Sequence, residues 1–123
     1  MSGNETNKYL PLTEATYYIM LSLIEPLHGY GVMQKVREMS DGLVEIGAGT
    51  LYGALSTLQK ESLIHKVHEG NRRKSYTLTP KGKRVLQGQI RRLEIMTREG
   101  GKVIEGSYRG AERSKRDGRD DIA

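Results

Sequence analysis

A mainly α (α+β) fold is predicted for this 123-residue chain by three observations. Three stretches within the first 60 residues repeat apolar side chains at helical spacing, the period changes to alternation beyond Ile64 around a Gly70-Asn71 turn, and Thr79-Pro80 then begins a fourth helix. A chain of this length suits one compact unit with a modest core, of the kind that a second chain often completes.

The elements follow in order. Residues 1–11 are polar and read as a mobile lead-in. Thr13 is placed to cap the first helix, with Leu12 and Tyr17 spaced to clasp its start. That helix runs to about Ile24, stopping before Pro26; Ala15, Tyr17, Tyr18, Ile19, Met20, Leu21, Leu23 and Ile24 surround it, which implies burial against two bodies rather than one. His28 to Ser40 forms a second, one-sided helix through Val32, Val36 and Met39, and Asp41-Gly42 stops it. Gly47 opens the third, where Leu51, Leu55 and Leu58 make the inward stripe while Gly53, Ser56, Thr57 and Lys60 face outward and Thr50, Tyr52 and Gln59 flank them. His65, Val67 and Glu69 then share one strand face and Tyr76 and Leu78 the face of the return strand. Pro80 sits where a missing N–H costs nothing, and the fourth helix carries Leu86, Ile90, Leu93 and Thr97, with Met96 beside them; Gly100-Gly101 is its expected end, with a resumed turn around Val103-Ile104 as the alternative. The stretch from Ser107 mixes charge and glycine without apolar periodicity and reads as a disordered tail.

Composition narrows the function classes. Without cysteine there are no disulfides, thiolate metal sites or cysteine nucleophile, a usage that suits a reducing cytoplasm. The longest apolar run, Tyr17 to Ile24, is too short to span a bilayer, and residues 1–9 lack the apolar core of a signal peptide, so no membrane partner is expected. Charge is uneven: residues 47–86 hold eight Lys and Arg against two acids, whereas residues 1–46 hold three against six. Concentration on the third helix and the hairpin favours a polyanionic partner over a generally basic, solvated surface.

Helix, helix, helix, hairpin, helix is the order of a winged helix-turn-helix with a two-stranded wing and a C-terminal extension. No acid occurs between Ile46 and Lys60, so nothing on the third helix opposes phosphate. Gly49 and Thr50 offer backbone N–H groups at a positive helix end, and Thr50, Tyr52, Ser56 and Gln59 offer hydroxyl, phenol and amide groups to base edges or phosphates. Arg72, Arg73 and Lys74 at the hairpin tip suit flanking phosphates or the minor groove. The bland readings stand beside these: Tyr52 as a half-buried packing residue, the three cations as a solvated turn. Catalysis is not expected. Gly47, Gly49 and Gly53 miss the dinucleotide spacing, Ser and Asp form no triad pattern, His28, His65 and His68 make no metal set, and no cofactor is implied.

Three motifs in this order resemble the PadR-like transcriptional regulators over about residues 10–97: Leu27-His28-Gly29-Tyr30-Gly31, then Gly49-Thr50-Leu51-Tyr52 with Leu55, Leu58, Leu63 and Ile64, then Arg73-Lys74-Ser75-Tyr76-Thr77-Leu78-Thr79 with Gly82 and Leu86. The resemblance implies a homodimeric repressor on an inverted-repeat operator of double-stranded DNA, with the terminal helix packed on the first helix of the other subunit. It adds Tyr30 to the DNA-facing set and makes Tyr17, Tyr18, Leu21, Leu86, Ile90, Leu93 and Met96 the dimer candidates. It also implies that a small apolar or aromatic effector can enter at the dimer interface. Two departures stand out: Gly47 and Ala48 replace the serine and proline common at the start of the third helix, and the chain has no tryptophan of the kind some small members use to stack flat drugs.

The expected organisation is thus a mobile segment 1–11, a winged helix-turn-helix 12–79, a dimerisation helix 80–106 and a charged tail 107–123. A winged-helix module that binds an acidic protein remains the alternative, with a small-molecule carrier behind it.

Overall fold

The structure is a computed structural model that describes residues 6–67 and 74–116, with side chains as far as Gly106. Its elements are α1 (Glu14–Ser22), β1 (Leu27–His28), α2 (Gly29–Met39), α3 (Ala48–Lys60), β2 (Ile64–Val67), β3 (Ser75–Leu78) and α4 (Pro80–Arg116). The strands form one antiparallel sheet in the order β1-β3-β2, with Ile64 opposite Leu78 and Leu27 opposite Tyr76. The expected two-stranded wing is therefore extended by a third strand. Two residues carry no period of their own; β1 exists because β3 offers it a free edge.

Helix ends obey local chemistry. Thr13 caps α1, its hydroxyl accepting the Thr16 N–H at 3.1 Å. At the end of α2 the Asp41 N–H reaches Glu38 O at 3.2 Å and the Gly42 N–H reaches Arg37 O at 2.8 Å, with Asp41 and Gly42 both at positive φ. α3 closes the same way through Ser62 and Leu63, whose N–H groups reach Gln59 O and Leu58 O at 3.0 and 2.9 Å. Paired 5→2 and 6→1 bonds of this kind satisfy carbonyls that a helix end otherwise leaves open. Leu63, which donates the second of the α3 bonds, is buried.

One compact unit ends at Gln89, and the rest of α4 from Ile90 forms a second. In the first, Ile19, Met20, Leu23, Val32, Val36, Leu51, Leu55, Leu63, Ile64 and Val85 are all almost fully buried. Burial of each large aliphatic side chain here contributes about 1.5–3 kcal/mol relative to exposure. The start of α4 is held tightly. Thr79 Oγ1 donates to Ser62 O at 2.7 Å and accepts from the Gly82 N–H at 3.0 Å, while the Thr79 N–H donates to Leu63 O at 3.0 Å. A Cβ at Gly82 would overlap the Leu63 carbonyl oxygen, so glycine is what lets the two backbones meet.

Two sequence expectations are corrected. Residues 6–11 are not a loose lead-in: the Tyr9 hydroxyl donates to Glu61 Oε1 at 3.1 Å, Lys8 and Lys81 each lie 5.1 Å from its ring, and the Leu12 N–H donates to Gln89 Oε1 at 2.8 Å. Tyr9 and Leu10 supply the anchoring that a polar composition conceals. α4 does not end at Gly100-Gly101 but continues through both glycines and past Ser107 to Arg116. Each glycine costs about 1 kcal/mol against alanine, yet a nucleated helix gains a hydrogen bond with every added residue. No proline follows Pro80 to block it, and Glu99 pairs with Lys102 one turn on at 3.2 Å. Residues 117–123 lie outside the described residues.

Gly82→Ala is expected to lower unfolding stability by about 1–3 kcal/mol, measured as a reduced denaturant midpoint at unchanged slope. Gly100→Ala and Gly101→Ala, where an added Cβ meets nothing within 4 Å, are expected to raise helicity and stability by about 0.5–1 kcal/mol each. Circular dichroism melts that show no gain would mean the helix does not run through the pair.

Candidate nucleic-acid interface

α3 presents two faces set by its period. Leu51, Leu55 and Leu58 point into the core, at 0, 1 and 4% exposure, which leaves Gly49, Thr50, Ser56 and Gln59 exposed on the other side. No acidic side chain interrupts that outer face from Ala48 to Lys60, its first turn contains none, and Gly47 makes no side-chain cap. The N–H groups of the first turn are thus open at the positive end of the helix dipole.

Tyr52 combines a packing contact with an exposed edge. Its ring end lies on Gly29, where an added Cβ would overlap the phenol oxygen, yet the side chain stays 52% exposed. Gly29 at the start of α2 is the socket that lets Tyr52 lean across without losing its outer edge. Tyr30, the next residue, is 61% exposed. Lys74, at the start of the return strand, is exposed, while Arg72, Arg73 and the expected Gly70-Asn71 turn lie outside the described residues. His65 and Lys66 on β2 are exposed as well.

Sequence reasoning missed a neighbouring feature. Tyr30, Gln34 and Arg37 of α2 face Glu45, Ile46 and Gly47 of the following connection across an open cleft of about 430 Å³. Arg37 Nε lies 3.2 Å from Glu45 Oε1, both side chains being mostly exposed. The helical spacing of residues 30, 34 and 37 was available as a signal, but the return of the chain to face them was not.

The residues expected to meet a second subunit divide three ways. Tyr17, Tyr18 and Leu21 on α1 are half-buried, as are Ile90 and Leu93, and Met96 is exposed. Leu86 is different: at 4% exposure it belongs to the chain's own core and has no surface left to offer. The apolar stripe of α4 continues from core to exterior without a change of period, so its inner member was assigned to the wrong partner. Beyond Met96 the exposed stripe includes Val103 and Ile104. Tyr17 and Tyr18 meet edge to face at 5.4 Å. Burial, with a smaller contribution from Tyr18, pushes the Tyr17 phenol above its usual range. Among the described residues no cluster of three or more His, Asp or Glu could hold a metal, and no helix is long and apolar enough to cross a membrane.

With this geometry in view, comparison with known proteins is direct. Residues 19–88 match the transcriptional regulator PadR-like family, and the chain belongs to it. A PadR family transcription regulator from Clostridium difficile is similar in structure at 26% identity and TM-score 0.61, covering 72% of this chain and 97% of that one. A PadR family regulator from Eggerthella lenta has 25% identity and TM-score 0.58 over 83% and 87%. A transcriptional regulator from Clostridium thermocellum has 25% identity and TM-score 0.60 over 83% and 96%. In sequence, an uncharacterised 37.1 kDa protein of transposon TN4556 from Streptomyces fradiae is 32% identical over 75 residues, 60% of this chain; the match spans only 21% of that relative. The chain is therefore a winged-helix transcriptional regulator, and its family is one of regulators, not enzymes.

The Tyr17 phenol has a testable consequence. Because its folded pKa is raised, its neutral form favours folding; that contribution is fully present below the unfolded value of 10.0 and is lost as pH rises through the higher folded value. Alkaline denaturation above pH 10 is expected to be less steep in Tyr17→Phe than in the parent chain, and identical profiles would contradict the assignment.

Proposed function

We propose that this regulator is a homodimeric, sequence-specific repressor that binds an inverted-repeat operator in double-stranded DNA. The observation that carries the reading is the exposed, acid-free outer face of α3; Tyr30 on α2 and Lys74 just before β3 are exposed as well. Thr50, Tyr52, Ser56 and Gln59 would read base edges in the major groove, while the Gly49 and Thr50 N–H groups, Arg72, Arg73 and Lys74 would hold phosphates. Half-exposed Tyr17, Tyr18 and Leu21, with Ile90, Leu93 and exposed Met96, support closure by a second copy that sets two readers at groove spacing. An apolar or aromatic effector entering beside Tyr17 and Tyr18 would release DNA if it favours a dimer arrangement with misplaced readers.

A dimer with three to five cations near phosphate per subunit neutralises roughly six to ten charges, giving a log–log salt slope of roughly −5 to −9. Titration onto the chain's own upstream region and onto scrambled duplex at several salt concentrations should give that slope and tighter binding to the former. Replacing Arg72, Arg73 and Lys74 by alanine is expected to weaken both, and Tyr52→Ala to reduce mainly the discrimination between them. Equal affinity for the two duplexes sinks the operator reading, and a monomer at micromolar concentration by sedimentation sinks the dimer.

A further inference from the structure

We infer that the cleft between α2 and the start of α3 is an additional seat for the backbone phosphates of duplex DNA, with Arg37 as its cation and Glu45 as the internal ligand that DNA displaces. The inference rests on the DNA-binding reading above and adds a contact to it. Three observations support it.

The first is place. The cleft is lined by Tyr30, which follows the Gly29 on which Tyr52 of α3 rests, and by Gly47, which gives α3 no side-chain cap. Tyr30, Gln34 and Arg37 share one face of α2, and the seven steps from the first to the last span about 10.5 Å along the helix. They address successive points on a phosphate backbone rather than one group.

The second is the pair itself. Arg37 and Glu45 meet at 3.2 Å with side chains 67 and 69% exposed, and a pair so open to water adds little to folding. Its cost of exchange is correspondingly small. Phosphate carries the same recognition chemistry as the carboxylate, and a guanidinium presents a planar fork to either.

The third is contrast. The outer face of α3 carries no acid, while Glu45 lies just before it, at the rim of the cleft. The carboxylate there occupies the Arg37 guanidinium until a duplex brings a phosphate close enough to take it. Glu45 thus lowers affinity for loosely fitted DNA, and Arg37 restores it where the backbone fits.

Duplex DNA of random sequence is the probe, titrated over a salt series with the full chain, Arg37→Gln, Glu45→Gln and the double variant, each checked for an unchanged melting temperature. Arg37→Gln is expected to make the salt slope shallower by about 0.9 per protomer. Glu45→Gln is expected to tighten binding about two- to fivefold, and by less than about 1.5-fold when Arg37 is already glutamine. An unaltered slope in Arg37→Gln, or an undiminished gain from Glu45→Gln in the double variant, overturns the phosphate seat while leaving the regulator reading intact. A parent chain that ignores duplex DNA overturns both, and that outcome is read from the parent titration alone.

Discussion

The close approach of α4 to the turn after α3 governs the arrangement of everything around it. Gly82 brings its backbone against the Leu63 carbonyl, Thr79 bonds to both Ser62 and Leu63, and Lys81 Nζ reaches Glu61 O at 3.1 Å. Four consecutive functions meet there: the end of α3, the start of β2, the end of β3 and the first turn of α4. The Gly82 approach and the Thr79 N–H bond to Leu63 are between backbones and cannot relax by a rotamer change. The tilt of α3 relative to the hairpin and the direction in which α4 sets out are settled together. Tyr9 adds a second tie from the N-terminal side by bonding Glu61 at the same corner.

From that corner the division of labour between surfaces follows. α3 turns its leucines inward because the core lies on one side, and the side left over is free of carboxylates. Its polar groups are hydroxyl, phenol and amide, with Lys60 in the last turn, and in the function proposed above such groups serve discrimination more than bulk attraction. Acids remain at both ends, Glu45 before the helix and Glu61 after it, each engaged by a neighbour: Arg37 in one case and Tyr9 in the other.

Much of this was legible in the chain. Thr13 and Thr79 announce helix starts because a hydroxyl before a helical run has few other uses, and Leu51, Leu55 and Leu58 announce an inward stripe because only one period fits them. The misreadings share a cause. The stripe of α4 keeps its spacing through Leu86 and on to Ile104, so periodicity says that a face is apolar but not where the core stops. Gly100-Gly101 looks like an end because a local rule counts the cost of glycine and ignores the cooperativity of the helix around it. Polar composition around Tyr9 hides one aromatic ring that decides whether the segment is held.

Sequence alone determined the order of elements, the helix caps, the inward leucines and the uneven placement of positive charge, since each depends on residues within a turn or two of one another. Only the tertiary structure decided that β1 joins the sheet, that Leu86 is core, that Gly82 marks a backbone contact and that Arg37 faces Glu45. Each of those pairs residues across a loop or between elements, where no local period records the partner, and packing in three dimensions supplies it.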